Sequence, residues 1–180
     1  MNQAEHDLLV IDAQDGSRTA LDTLVRHHHR NLLRFAYSLC RDTALAQDAV
    51  QDAWIKVAGR LRSLDDPRAF RGWVYHAVRW RAFDLLKRSH RHDRSLEAAD
   101  TEVERPVGDE SRDRRIDLGA AIADLPGADR ETLQLFYVNG LTIPEIAVVL
   151  DIPPGTVKSR LNRARNQLKQ HFEGEDHEHR

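Results

Sequence analysis

Near its C-terminal end the sequence places side chains whose types and spacing suit polyanion chemistry. Lys158, Ser159, Arg160, Arg163 and Arg165 fall outward on a helix expected from Pro154 through Lys169, whose inward positions are Val157, Leu161, Ala164 and Leu168. Cations and hydroxyls gathered on one helical face can meet phosphate oxygens and base edges. The residues upstream support that reading. Thr142 and Glu145 have the spacing of a capping box, opening a short helix that turns Ile143, Ile146, Ala147 and Leu150 inward. Asp151-Ile152-Pro153 then turns the chain. A short capped helix, a tight turn carrying one apolar residue and a basic second helix make a helix-turn-helix. Its second helix fits the major groove of duplex DNA.

The elements that must position this motif are helical too, and the expected fold class is all-α. Leu118, Ala121, Ile122 and Leu125 share one helix face, stopped by Pro126-Gly127. Leu133, Phe136 and Tyr137 mark a second helix, ended by Asn139-Gly140. The N-terminal half reads the same way. Leu8, Leu9 and Ile11 begin a short helix that should stop at Asp15-Gly16, and Ser17 caps the next. That helix carries the stripe Leu21, Leu24, Val25, His28, Leu32, Phe35, Ala36 and Leu39. Asp42 caps a third, with Leu45, Ala46, Ala49, Val50, Ala53, Trp54 and Val57 inward. Asp66-Pro67 opens a fourth, because proline is pre-set for a first helical position. Its stripe is Phe70, Trp73, Val74, Ala77, Val78 and Leu85.

Between Ser89 and Arg115 the apolar periodicity stops, and the segment is polar with Pro106 and Gly108. It reads as a flexible linker, since it cannot bury enough apolar area to offset the cost of ordering. The expected organisation is a domain over 1–88, a linker over 89–116, a second domain over 117–172 and a disordered tail over 173–180. Charge follows these divisions. Residues 21–92 carry 14 Lys+Arg against 7 Asp+Glu, whereas the whole chain has a net charge of −2. A basic block flanked by acidic segments suits a polyanion binder that avoids sticking indiscriminately.

Other chemistries find less support. The longest apolar stretch, Ile146 to Leu150, is far short of the ~20 residues of a membrane span. The opening residues are acidic and lack an apolar signal core, so the expected compartment is the cytoplasm. Cys40 is the single cysteine, which excludes an internal disulfide and a cysteine-based zinc site. His27, His28 and His29 fan about 100° apart on a helix and cannot converge on one ion, so no metal site is expected. No Ser/His/Asp spacing, phosphate-cradling glycine loop or paired-carboxylate pocket is visible. The expectation is therefore a non-enzyme without a cofactor.

The helix-turn-helix segment, Thr142-Ile-Pro-Glu-Ile-Ala-Val-Val-Leu-Asp-Ile-Pro-Pro-Gly-Thr-Val-Lys-Ser-Arg-Leu-Asn-Arg-Ala-Arg, resembles region four of bacterial sigma factors of the extracytoplasmic-function (ECF) group. Asp48-Ala-Val-Gln-Asp-Ala-Trp-Ile-Lys-Val resembles the second helix of sigma region two. Phe70-Arg-Gly-Trp-Val-Tyr-His-Ala-Val-Arg, followed by Ala82-Phe-Asp-Leu-Leu-Lys-Arg, resembles its promoter-melting helix. The resemblance covers roughly 7–88 and 118–170. It implies an alternative-type sigma factor that binds core RNA polymerase, through the clamp helices of the largest subunit and the flap, and directs promoter recognition. An anti-sigma factor is a further implied partner.

The same resemblance implies residue roles. Asp48, Gln51 and Asp52 would dock on the polymerase clamp helices, where carboxylates and amides suit Arg or Lys partners. The helix 67–88 and the loop before it would melt and read the −10 element. There Arg68, Arg71, Arg79, Arg81, Lys87 and Arg88 supply charge, and Trp73, Tyr75 and Trp80 supply rings. Trp73 also sits on the apolar stripe. Thr156, Lys158, Ser159, Arg160 and Arg163 would read the −35 element.

The family commonly has Asn where this chain has Trp80, so Trp80 is either core or one wall of a flipped-base pocket. The loop Leu61 to Phe70 also lacks the Gly and Ser frequent there. The competing reading is a helix-turn-helix regulator with a ligand- or metal-sensing N-terminal domain.

Overall fold

The computed structural model describes residues 1–93 and 118–178, with side chains placed for 1–89 and 118–173. All regular elements among the described residues are helical, as the periodicity requires. The chain divides into two compact units.

The first unit contains α1 (Gln3–Gln14), α2 (Arg18–Cys40), α3 (Thr43–Arg60), two short 3₁₀ turns (Leu61–Ser63 and Pro67–Ala69) and α4 (Phe70–Asp93). Each of the first three helices starts at a side-chain cap. Asn2 forms a capping box with Glu5, Ser17 accepts from the Ala20 N–H at 3.2 Å, and Asp42 accepts from the Leu45 N–H at 2.9 Å. Each bond satisfies a backbone donor that the helix itself cannot, worth ~1 kcal/mol. Gly16 allows the α1–α2 turn because its φ of +101° lies in the left-handed region.

The core of this unit is Leu24, Leu32, Phe35, Val50, Val57, Phe70, Val74 and Tyr75, all below 3% exposed. Full burial of one large apolar side chain contributes ~1.5–3 kcal/mol. The Phe35 and Tyr75 rings pack at a tilt, 5.2 Å apart, and because Phe35 is fully buried, Phe35→Ala would cost ~3–5 kcal/mol by opening a cavity. Cys40 packs against Ala49 and Ala82, and burial pushes its thiol pKa up, which suits packing rather than redox chemistry.

Three expectations change here. The inward face of α1 is His6, Val10 and Ala13, whereas Leu8 and Ile11 are exposed. Spacings of four and three place those inward residues on one stripe, and the apolar pair falls off it. Tyr75 is core. Helix α4 packs on both α2 and α3, so its buried arc is wider than a single stripe. Residues 89–93, expected in the linker, continue α4; the expected linker residues 94–116 lie outside the described residues.

The second unit contains α5 (helical residues 118–123), α6 (Gly127–Tyr137), α7 (Ile143–Leu150) and α8 (Pro154–Glu178). Its core is Leu125, Leu133, Leu135, Leu141, Ile146, Val157, Leu161 and Ala164. Tyr137, one of the residues that mark α6 in the sequence, is 56% exposed. Helix α8 runs past the expected end at Lys169, so residues 173–178, expected as a disordered tail, are helical. An ion pair between Lys169 and Glu173 at 3.4 Å spans the continuation.

Candidate nucleic-acid and polymerase interface

The helix-turn-helix is built as its residue types require. The Thr142 N–H donates to the Glu145 carboxylate at 2.7 Å, and the Glu145 N–H reaches the Thr142 hydroxyl at 3.4 Å. This reciprocal box fixes the start of α7. The turn passes through Asp151 at φ +54°, a left-handed conformation that Asp tolerates better than most residues. The Ile152 N–H closes back on the Ala147 carbonyl at 3.1 Å. Pro154 then opens α8, whose inner face is Val157, Leu161 and Ala164, with Leu168 half-buried.

Of the residues expected on the reading face, Lys158 and Ser159 are exposed, and Thr156 and Arg160 are half-buried. The Ser159 hydroxyl donates to the Thr156 carbonyl at 2.9 Å, so its oxygen keeps acceptor capacity. Arg163 differs. Its guanidinium makes a two-point contact with Asp129 at 2.5 and 2.6 Å, and Asp129 is fully buried. The carboxylate beside it raises the Arg163 pKa. A buried carboxylate needs such a partner, so Arg163 ties α8 to α6 before it can contact anything else. Arg165 likewise donates to the Tyr137 hydroxyl at 2.8 Å and lies near the Phe136 ring.

In the first unit, Asp48 and Gln51 stand exposed on α3, opposite Ala46, Ala49, Val50 and Ala53. Asp52 is half-buried and engaged. It accepts from Arg81 at 2.6 Å, Arg81 also donates to Asp84 at 2.5 Å, and Asp84 pairs with Arg88 at 3.1 Å. The Arg81 side chain is only 22% exposed. Burial works against its charge, yet the two carboxylates hold its pKa up. Arg81 is therefore a bolt between α3 and α4, not the free cation its sequence position suggested.

The remaining −10 candidates separate by exposure. Arg68 and Lys87 are exposed, Arg71 and Arg79 half-buried. Arg68 pairs with its own helix cap, Asp66, at 3.0 Å, and that bond holds the Asp66 carboxyl below its usual pKa. Arg79 lies over the Phe83 ring at 4.8 Å. Tyr75, expected to contact DNA, is 2% exposed and has no surface to offer.

Trp80 is decided by exposure. It is 53% exposed, which excludes the core alternative. It lines a cleft of about 170 Å³ with Lys56, Val57, Arg60, Trp73, His76 and Ala77. The Lys56 ammonium sits 4.4 Å from the centre of its ring. An indole wall, a second tryptophan and two cations suit a stacked base with its phosphate nearby. Lys56 and Arg60 were missed in the sequence; their signal was a basic pair four residues apart on α3. Gln14 was missed as well. Its amide donates to the carbonyls of Leu61 and Leu64, at 3.0 and 2.6 Å, and no local pattern announces so distant a contact.

The histidines come together in a way the triplet did not suggest. His28 meets His6, with Nε2 atoms 2.8 Å apart, and both are buried. Burial first, and then the neighbouring His6, His27 and Arg71 charges, together push the His28 pKa down to about 3. Among the described residues no group of three or more His, Cys, Asp or Glu side chains is placed to hold a metal ion. Nor is any described helix long and apolar enough to cross a membrane.

A capped supporting helix followed by a basic helix, beside a separate helical unit with an aromatic cleft, defines a two-module helix-turn-helix protein. Two family models match this division: Sigma-70 region 2 over residues 24–92 and Sigma-70 region 4 over residues 115–168. The chain belongs to the sigma-70 family, among its ECF RNA polymerase sigma factors.

The ECF sigma factor SigM of Mycobacterium tuberculosis is 33% identical over 155 residues, covering 85% of this chain and 77% of that protein. The RNA polymerase sigma-H factor of Pseudomonas aeruginosa is 30% identical, covering 93% and 94%. SigE of Mycolicibacterium smegmatis is 30% identical over 84% of this chain, and the chain spans 61% of that relative's length. Among solved structures, the fold matches CnrH in complex with the cytosolic domain of CnrY, with a TM-score of 0.67 at 24% identity over 94% and 97% of the two chains. It also matches the sigma factor RpoE in complex with the anti-sigma factor NepR from Bartonella quintana, with a TM-score of 0.62 at 24% identity over 84% and 96%. The region 2 match occupies the stretch that a ligand-sensing domain would have needed, so the sensor alternative is set aside.

Proposed function

We propose that this protein binds core RNA polymerase and directs it to promoters as an alternative-type sigma factor, acting as an initiation factor in the cytoplasm and not as an enzyme. The observation that carries the proposal is the pairing of two unlike polar faces on one family frame. Helix α3 exposes Asp48 and Gln51 in region 2, and α8 exposes Lys158 and Ser159 in region 4. Asp48 and Gln51 are the polymerase contacts, with Asp52 contributing the outer part of its carboxylate. A polar, anionic face suits a basic coiled-coil partner such as the clamp helices. A second contact, through region 4, is with the flap.

Promoter DNA is met in two ways. Thr156, Lys158, Ser159 and Arg160 lie at the start of α8, where a recognition helix touches base edges and phosphates of the −35 duplex. Arg68, Arg71, Arg79, Lys87 and Arg88 steer the −10 strand, and the Trp80 cleft takes an unstacked base. An anti-sigma factor is the expected regulator, a reading encouraged by the fold match to RpoE, which was solved with NepR.

Run-off transcription on a pool of genomic fragments tests this. Core polymerase plus this protein should give discrete transcripts, while the protein alone should select no fragment. Equal transcript patterns with and without the protein would overturn the proposal.

A further inference from the structure

Helix α1 lies outside the stretch matched by the region 2 model, yet it grips both ends of the loop that precedes the promoter-facing helix. At the loop's start, the Gln14 side-chain amide donates to the carbonyls of Leu61 and Leu64 at 3.0 and 2.6 Å. The Arg62 Nε–H returns a bond to the Gln14 backbone carbonyl at 3.1 Å. At the loop's end, Phe70 is fully buried, with its ring 5.6 Å from that of His6 and 5.8 Å from that of His28. His6 and Gln14 are eight residues apart, about 12 Å along a helix. A rigid rod of that length thus sets the span of the loop. Between the two anchors the loop shows solvent Arg62, Ser63, Asp65, Asp66 and Arg68.

We infer that Gln14 is a positioning residue for −10 recognition, holding the 61–69 loop, which directly follows the cleft residue Arg60, in the conformation that delivers the unstacked base to the Trp80 cleft. The inference rests on the −10 assignment proposed above. Only an uncharged amide fits the task. It supplies two N–H donors to two carbonyls, whereas a carboxylate of the same length supplies none and would face them with its own lone pairs. The loop carbonyls would then turn to water, and the loop would sample other conformations before a base arrives. A receptor populated for a fraction of the time binds more weakly by that fraction. The adjoining helices do not depend on the amide, since the α3–α4 contact is made by buried apolar residues and the Asp52–Arg81 bond.

Two variants of the full chain, Gln14→Glu and Gln14→Met, separate positioning from stability, each assembled with core polymerase. Three quantities are read: affinity for core polymerase, the rate of open-complex formation on a cognate promoter, and that rate with each −10 base replaced in turn. We expect both variants to keep core affinity within about twofold and to open the cognate promoter about tenfold more slowly, the factor represented by a net hydrogen bond or two. The preference among −10 bases should shrink toward equality. Core affinity falling in step with opening would overturn the inference, because Gln14 would then merely hold the unit together. Unchanged base preference would overturn it too. The parent chain serves as the independent arm. If it shows no dependence on any −10 base, the −10 assignment itself fails; if it shows one that both variants retain, only the role of Gln14 fails.

Discussion

The two units handle their cations differently. In region 2 most of the expected DNA-facing arginines are already partnered: Arg68 with Asp66, Arg81 with Asp52 and Asp84, Arg88 with Asp84, and Arg79 with the Phe83 ring. In region 4 Arg163 is tied to Asp129, whereas Lys158 and Arg160 make no ion pair among the described residues. A helix that reads intact duplex needs its charges pre-set, because the duplex does not change shape to meet them. A surface that must capture a strand only after opening gains from charges held by weak, exposed pairs such as Arg68–Asp66, which cost little to exchange for phosphate, whereas Arg81, mostly buried, stays a bolt. The excess of basic residues over 21–92 therefore overstates how much positive charge the first unit offers at rest.

The sharpest way to break this comparison is at the polymerase face. The double change Asp48→Ala and Gln51→Ala should lower core polymerase affinity by about a hundredfold, roughly 2–3 kcal/mol, within the range for truncated interfacial charged contacts. Helical content by circular dichroism should not change, because both side chains are exposed. Asp52→Ala is the contrasting variant. It frees Arg81, so it should lower thermal stability as well as affinity. If Asp52→Ala leaves the melting temperature untouched, the Arg81 bolt carries no weight.

Acid should separate the units next. His28 titrates at about 3 in the folded chain against 6.5 in an exposed histidine. Its pair with His6 needs one ring as donor and the other as acceptor, so a second proton breaks the bond. The groups around it are His6 and, beyond, Asp7 on α1, His27 on α2 and Arg71 on α4, and none offsets the burial. The unfolded chain takes up a proton below pH 6.5 that the folded one refuses. This part of the stability is complete above that pH and is lost as pH falls from 6.5 toward 3. At pH 5 the loss is ~2 kcal/mol. Chemical denaturation from pH 7.5 to 5 should show it for region 2, and His28→Leu should flatten it. A region 2 transition indifferent to pH would remove the pair from the ledger.

Trp80 probes the capture surface. Since it is half exposed, Trp80→Ala should move the melting temperature by little. Losing a stacking wall should cost about 1–3 kcal/mol of single-strand capture, a roughly 5- to 160-fold fall in open complexes on one promoter. A large melting loss with normal opening would make Trp80 structural. Trp80→Asn should shift the preferred −10 base if this position reads it.

The elements were legible where periodicity, caps and turns agree. The stripe from Leu45 to Val57, the Thr142–Glu145 box and the Asp151 turn need only residues within a few positions of one another. Long-range partnerships were not. Gln14 holds carbonyls about fifty residues away, Arg163 finds Asp129, and His6 finds His28, across gaps of 34 and 22 positions. A buried tyrosine was read as a surface ring for a related reason. Tyr75 looks like a ring flanked by cations in sequence, and only the packing of α4 on both α2 and α3 turns it inward.

The smallest effect gives the finest division, inside the recognition helix itself. Its cations look alike in sequence, but Arg163 spends two donors on a fully buried carboxylate, while Lys158 and Arg160 remain available. Each phosphate contact releases close to one counterion, so removing one lowers the slope of log affinity against log salt by about 0.9. Lys158→Ala should do this on any −35 sequence. Arg160→Ala should do the same if it meets phosphate; if it reads a base edge it should cost about 1–3 kcal/mol on the cognate sequence alone. Arg163→Ala should leave the slope nearly unchanged and instead strand the Asp129 charge, lowering the melting temperature of region 4 by several degrees. Asp129→Asn should partly relieve that loss, since an amide is cheaper to bury than an unpaired carboxylate. Should Arg163→Ala flatten the salt slope with no thermal cost, the guanidinium must exchange Asp129 for phosphate on binding. Region 4 would then hold its charge in reserve just as region 2 does, and the contrast between the two units would disappear.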